Sequence, residues 1–170
     1  TLRLERLSTI LMMRNVLIIK LRYIGDVLLA TLTARAIKSA RQDVRVTMLV
    51  TRGTEDVLLG NPDIDEVLIL DKDSLAAQWR LITGLRRRRF DIVLDLTDGD
   101  RAAFLSWISG APVRIGFNDG HRWQGRFYTQ VVRFERGAQH RIDRDLEALK
   151  LVNIQAGSQD PHVWLTPEEE

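Results

Sequence analysis

The chain changes its hydrophobic period within its first forty residues. Val16 to Ile19 is an uninterrupted run of Val, Leu and Ile, the pattern of a strand covered on both faces. From Val27 the apolar positions recur as Val27, Ala30, Ala34 and Ile37, with Leu28 and Leu32 widening the stripe, which is the period of an amphipathic helix. The alternation then repeats. Val44 to Val50 predicts a strand; Thr54 opens a short helix stopped by Gly60 to Pro62; and a strand follows near Val67 to Leu70. A helix from about Ser74 runs into an arginine cluster, Phe90 to Leu96 predicts a buried strand, and Arg101 to Ile108 a helix ended by Gly110. "APVRIGFN" predicts a short strand, Asn118 to Gly125 a polar loop, "YTQVVRF" an edge strand, and Arg141 to Leu151 a helix through Ile142, Leu146 and Leu149. Strands alternating with helices over short connections predict an α/β fold with a mostly parallel sheet and helices on both faces.

Composition removes several classes. With 170 residues the chain can bury a real core, and without cysteine it has no disulfide framework or thiolate metal site, which fits a reducing compartment. His121, His140 and His162 show no short ligand spacing, so no metal is expected. No apolar run approaches the roughly 20 residues of a membrane span, and "TLRLERLSTILMM" has too short an apolar part and no cleavage site for a signal peptide. Residues 1–12 read as an extension upstream of a domain at 13–165. In "TPEEE", residues 166–170, a Thr cap, Pro in the first turn and acids at the positive end predict a helix start, expected to lead toward a second domain. The net charge of +2 hides an uneven spread, with Arg86, Arg87, Arg88 and Arg89 in one run. Such a run suits a solvated helix end, anionic lipid, an acidic sugar or nucleic acid. The last is disfavoured, because no reading motif accompanies it.

The usual catalytic signatures are missing. "KLRYIGD" has a single glycine after the first strand, which weakens a dinucleotide site, and there is no Gly-x-Ser-x-Gly elbow or His-Glu-x-x-His helix. The D-x-D triplets beginning at Asp63, Asp71, Asp98 and Asp143 read as turn and cap chemistry. What remains are polar groups at the carboxyl ends of predicted strands: Lys20, Arg22 and Asp26 after the first, Asp98 and Arg101 after "IVLDL", and Asn118 and Arg122 after "RIGF". Loops far apart in sequence can meet at one sheet edge and build one site. Each residue also has a plainer reading: Asp26 as a helix cap, Lys20 and Arg22 as solvated cations, Arg101 as a partner of Asp98, and Trp79, Trp107 and Trp164 as core or interface packing.

Taken in order, "VLIIKLRYIGDVLLATLTARAIKSARQDVRVTMLV", "NPDIDEVL", "FDIVLDLTDGDRAAFLSWISGAPVRIGF" and "HRIDRDLEAL" closely resemble the N-terminal half of glycosyltransferase family 9, the lipopolysaccharide heptosyltransferases, and within it the branch called heptosyltransferase III. The resemblance runs from about Met13 to the end. It implies a Rossmann-like fold, the acceptor-binding N-terminal domain of a two-domain GT-B enzyme, with ADP-heptose held by the other domain and no cofactor. It implies that Asp26, after Gly25, is the catalytic base of an inverting transfer, and that Lys20, Arg22, Gly25, Asp98, Arg101 and Arg122 bind an acidic inner-core acceptor, Arg101, Arg114 and Arg122 serving as carboxylate or phosphate clamps. It also implies a cytoplasmic protein at the inner membrane face, with Arg86, Arg87, Arg88 and Arg89 near anionic lipid. The alternative is a non-catalytic Rossmann-like nucleotide-binding or interaction module, which would bind nucleotide tightly by itself.

Overall fold

A computed structural model describes residues 13–118, 123–133 and 141–154 of the chain. The elements are β1 (Asn15–Lys20), α1 (Ile24–Ala40), β2 (Arg45–Thr51), β3 (Glu66–Leu70), α2 (Leu75–Arg87), β4 (Ile92–Asp95), α3 (Asp100–Ile108), β5 (Val113–Asn118), β6 (Gln130–Arg133) and α4 (Arg141–Lys150), with 3-10 turns at Asp56–Leu58 and Trp123–Phe127. The upstream extension at 1–12 and the expected helix start at 166–170 lie outside the described residues, as does Trp164.

The six strands form one parallel sheet in the order β3-β2-β1-β4-β5-β6, the Rossmann-like α/β arrangement expected from the alternating pattern. The unbroken apolar run of β1 serves two cores because successive side chains point to opposite faces. Val16 and Ile18 pack with Val27, Ala30, Ala34 and Ile37 of α1 and with Ala148 and Leu149 of α4. Leu17 and Ile19 pack on the other side with Leu81 and Leu85 of α2 and Ala102 and Leu105 of α3.

Three boundaries differ from the sequence pattern. Helix α1 begins two residues earlier than its Asp: Tyr23 is the N-cap without a side-chain cap bond, so Asp26 is the third helical residue and not the cap. Strand β4 is shorter than Phe90 to Leu96 because the Asp91 carboxylate turns to accept from Arg14 N and Asn15 N, both at 2.8 Å. Part of the expected polar loop is instead the 3-10 turn Trp123–Phe127.

The arginine run does not form one charged face. Arg88 Nε donates to both carboxylate oxygens of Glu66, at 3.1 and 3.2 Å, and Arg86 Nε donates to the Ile108 carbonyl at 3.0 Å. Arg89 takes a left-handed backbone, φ 49°, that leads the chain into Phe90. Trp79 and Trp107 are not core residues, since they are 68% and 47% exposed.

Candidate functional site

The order of strands reverses between β1 and β4, and in open α/β sheets ligands bind at the carboxyl edge beside such a reversal. Two segments meet there: residues 21–26, which close β1 and begin α1, and residues 96–99 between β4 and α3. Buried and half-buried hydrogen bonds stitch them together. Thr97 Oγ1 accepts from Leu21 N at 2.9 Å and donates to the Ile19 carbonyl at 3.2 Å, and Arg22 Nη2 donates to the Asp98 carbonyl at 3.3 Å.

Lys20 does not face solvent. It is 1% exposed, its Nζ donates to the Leu96 carbonyl at 2.8 Å, and it forms an ion pair with Asp145 of α4. An ammonium so enclosed needs both partners, because a buried charge without them is costly. Lys20 therefore ties the β1 end to the β4 loop and to α4 instead of offering a free cation to a ligand. Burial raises the pKa of Asp145, with Lys20 and Arg144 opposing the rise. Arg144 reaches the Leu96 carbonyl at 3.4 Å and lies 4.6 Å over the Phe117 ring.

A second buried carboxylate stands behind Thr97. Asp95 Oδ1 accepts from Thr97 N at 2.8 Å, and Oδ2 accepts from the Tyr128 hydroxyl at 2.6 Å. Complete burial pushes its pKa up to about 6, against the two bonds that favour the ionised form. Asp98 is also buried. Its backbone is left-handed, φ 57°, a conformation Asp tolerates better than most residues, and Oδ1 accepts from Gln124 Nε2 at 3.0 Å. Arg144 Nη1 stands 4.0 Å from Asp98 Oδ2, so the Asp98 carboxylate is engaged by Gln124 and Arg144 and not by Arg101. None of Asp95, Thr97, Gln124, Tyr128 or Asp145 stood out in the sequence. The only signal was polar residues ending an apolar strand in "DLTD".

The same edge carries other residues. Asp26 is buried in the first turn of α1, and Gly25 beside it is exposed, with nothing within 4 Å of where a Cβ would stand. Arg22 and Arg101 are exposed at this edge. Arg114 is turned away: its guanidinium donates to the carbonyls of Phe127 at 2.8 Å and Ala111 at 2.6 Å, stapling the loop after β5. Arg122 lies outside the described residues. Asp71 has the turn role expected of the D-x-D triplets, accepting from Asp73 N at 3.0 Å. Among the described residues no group of three or more His, Asp or Glu could hold a metal ion. A cleft of about 490 Å³ lined by Arg86, Arg89, Asp91 and Pro112 opens at the opposite, amino edge of β4 and β5.

Comparison with known proteins fits this geometry. Residues 78–167 match the model of glycosyltransferase family 9 (heptosyltransferase). Over 143 residues the chain is 28% identical to lipopolysaccharide heptosyltransferase 3 of Escherichia coli K12, which spans 79% of this chain and 41% of that protein. The chain thus spans about two fifths of that curated relative. Two solved structures share the fold. A family 9 glycosyl transferase from Veillonella parvula superposes with TM-score 0.78 at 24% identity, over 91% of this chain and 46% of that one. The E. coli heptosyltransferase WaaC with ADP superposes with TM-score 0.70 at 18% identity, over 86% of this chain and 50% of that one.

Proposed function

Because the chain belongs to glycosyltransferase family 9, we propose that it is the acceptor-binding domain of an inverting heptosyltransferase, one that moves heptose from ADP-heptose to the inner core of lipopolysaccharide. The observation that carries this reading is the placement of Gly25 and Asp26 in the first turn of α1, at the carboxyl edge where strand order reverses, with half-buried hydrogen bonds fixing the neighbouring loops. Asp26 lies outside the matched span 78–167, so its role is what the resemblance of the Gly25–Asp26 segment to the family implies, and its place at this edge agrees with that role.

In this reading Asp26 accepts the proton of the acceptor hydroxyl as the new carbon–oxygen bond forms and ADP leaves from the opposite face of the sugar. A carboxylate is a weak base, so proton transfer comes late, after the electron-poor sugar carbon has acidified the hydroxyl. The bare backbone at Gly25 lets the acceptor come close. Arg22 and Arg101 supply guanidinium forks for its carboxylates or phosphates. Lys20 and Asp98 act from inside as positioning residues. The donor is bound by the part of the enzyme that lies beyond the span shared with this chain, and the reaction takes place at the cytoplasmic face of the inner membrane, where a lipid-linked acceptor is presented.

A transfer assay with ADP-heptose and core acceptor tests the reading. The full-length protein is expected to transfer heptose, and these 170 residues alone to transfer none and to bind ADP weakly. Tight ADP binding by this chain alone, without transfer by the full-length protein, would identify a nucleotide-binding module instead.

A further inference from the structure

The two helical layers present different surfaces. Among the described residues every exposed Trp and Phe lies on α2, α3 or the Trp123–Phe127 turn: Trp79, Phe104, Trp107 and Trp123. Leu75, one turn before Trp79, is 77% exposed. Phe127 gathers three of the rings, with centroids 6.3 Å from Phe104, 5.8 Å from Trp107 and 5.4 Å from Trp123. The same elements carry exposed Arg80, Arg87, Arg101 and Arg126, whereas α2 has no acidic residue and Asp100 is the one acid of α3. Helices α2 and α3 cover the same face of the sheet, and the bond from Arg86 to the Ile108 carbonyl joins their ends, so their outer sides look in one direction. The opposite layer, α1 and α4, has no exposed Trp or Phe, and its Lys38 and Lys150 are paired with Asp65 and Glu147.

We propose that this α2–α3 face docks on an anionic lipid surface. Indole rings and guanidinium groups on apolar stems suit the headgroup boundary, where the apolar body enters and the polar end stays wet. A face rich in arginine and nearly free of acid complements anionic headgroups, and the same charge makes two copies of the face repel each other. Nucleic acid fits less well, because Phe104, Trp107 and Phe127 pack against one another in tilted or edge contacts and do not stand apart as stacking platforms. The face is continuous with the candidate site, since the turn that carries Trp123 also carries Gln124, the partner of Asp98. The inference deepens the proposed function by setting the acceptor edge beside the leaflet that would hold a lipid-linked acceptor, but the surface exists whether or not that chemistry is right. Of the Arg86–Arg89 run, only the residues not committed to Glu66 or Ile108 are free to take part.

Co-sedimentation of the 170-residue chain with phosphatidylcholine vesicles, with and without phosphatidylglycerol, tests the docking. Binding is expected only with phosphatidylglycerol, with a blue shift of tryptophan emission and weakening by salt. Replacing Arg80, Arg87 and Arg126 by Gln is expected to weaken binding by roughly fivefold per arginine. Trp79→Ser, at a side chain 68% exposed and so safe for the fold, is expected to reduce both the binding and the blue shift. Lys150→Gln on the opposite layer is expected to leave binding unchanged. Failure of the parent to bind these vesicles, a triple arginine variant that binds as tightly as the parent, or a preference for an oligonucleotide over vesicles would each overturn the proposal. No sugar enters this assay, so its failure leaves the reading of Asp26 standing, and loss of that reading leaves this one.

Discussion

The hydroxyl of Tyr128 donates to Asp95 Oδ2 at 2.6 Å, and through this one enclosed carboxylate the segment after β5 is linked to Thr97 in the loop after β4. Burial raises the Asp95 pKa from 3.8 to about 6. Between those values the folded chain holds a proton that the unfolded chain has released. Its contribution to stability therefore falls as pH rises through that window, and the full penalty, on the order of 3 kcal/mol, is present at pH 7. Asp95→Asn keeps the shape, can accept from Thr97 and can donate to the Tyr128 oxygen. It is expected to match the parent near pH 4 and to be more stable at pH 7, by about 1–3 kcal/mol. Urea unfolding at the two pH values checks this, and an equally steep pH dependence in the variant would assign the slope to other groups.

The Lys20–Asp145 pair predicts strong non-additivity. Lys20→Met leaves the buried Asp145 carboxylate with only the longer contact to Arg144 Nη2, at 3.4 Å, and is expected to cost about 3 kcal/mol. Adding Asp145→Leu removes the stranded charge, and the double variant is expected to recover most of that loss, apart from roughly 1 kcal/mol for the donor lost at the Leu96 carbonyl. A denaturation cycle measures the coupling, and simple addition of the two single effects would mean that the pair is not desolvated.

The same pair shows where sequence reading stopped. The sheet was legible because β1 carries an unbroken apolar run, Val16 to Ile19, and β2 a nearly unbroken one, broken only by Thr47, as a parallel sheet covered on both faces requires, and α1 announced its buried face through Val27, Ala30, Ala34 and Ile37. The site's outline was legible too, as polar residues at strand ends. Its inner wiring was not. Lys20 follows an apolar run and so looks like the first solvated residue, while the carboxylate that draws it inward is 125 positions away. The start of α1 was misread because the side chain of Tyr23 makes no cap bond and leaves no signature before Asp26. Trp79 and Trp107 read as core or interface packing, and the core half of that reading fails because it is the opposite sides of α2 and α3 that face the sheet.

Two glycines should respond in opposite ways. A Cβ at Gly116 would stand inside the Tyr128 ring, so Gly116→Ala must displace that ring and its bond to Asp95, at an expected cost of about 1–3 kcal/mol. Gly25→Ala meets nothing and lies in a helix, where Ala is favoured by about 0.5–1 kcal/mol, so stability should hold or rise. If the acceptor packs against the backbone there, Gly25→Ala in the full-length enzyme should raise the acceptor KM while thermal unfolding stays unchanged or moves upward. An unaltered KM would remove Gly25 from the acceptor site.

Asp26 gives the sharpest test of the proposed chemistry, in the full-length enzyme. It is the third residue of α1, so Asp26→Asn removes a charge from the positive end of the helix, a contribution of about 0.3–1 kcal/mol, and the protein should stay folded. Asn has the same size and can still accept a hydrogen bond, which preserves a ground-state contact with the acceptor hydroxyl. It cannot take the proton. If Asp26 is the base, kcat should fall by roughly a hundredfold or more while the acceptor KM changes little, because the missing interaction belongs to the transition state. Loss of kcat in a variant whose unfolding curve overlays that of the parent is the expected result. A variant that unfolds early yet turns over normally when folded would make Asp26 a stabiliser of the first turn of α1 and move the base elsewhere.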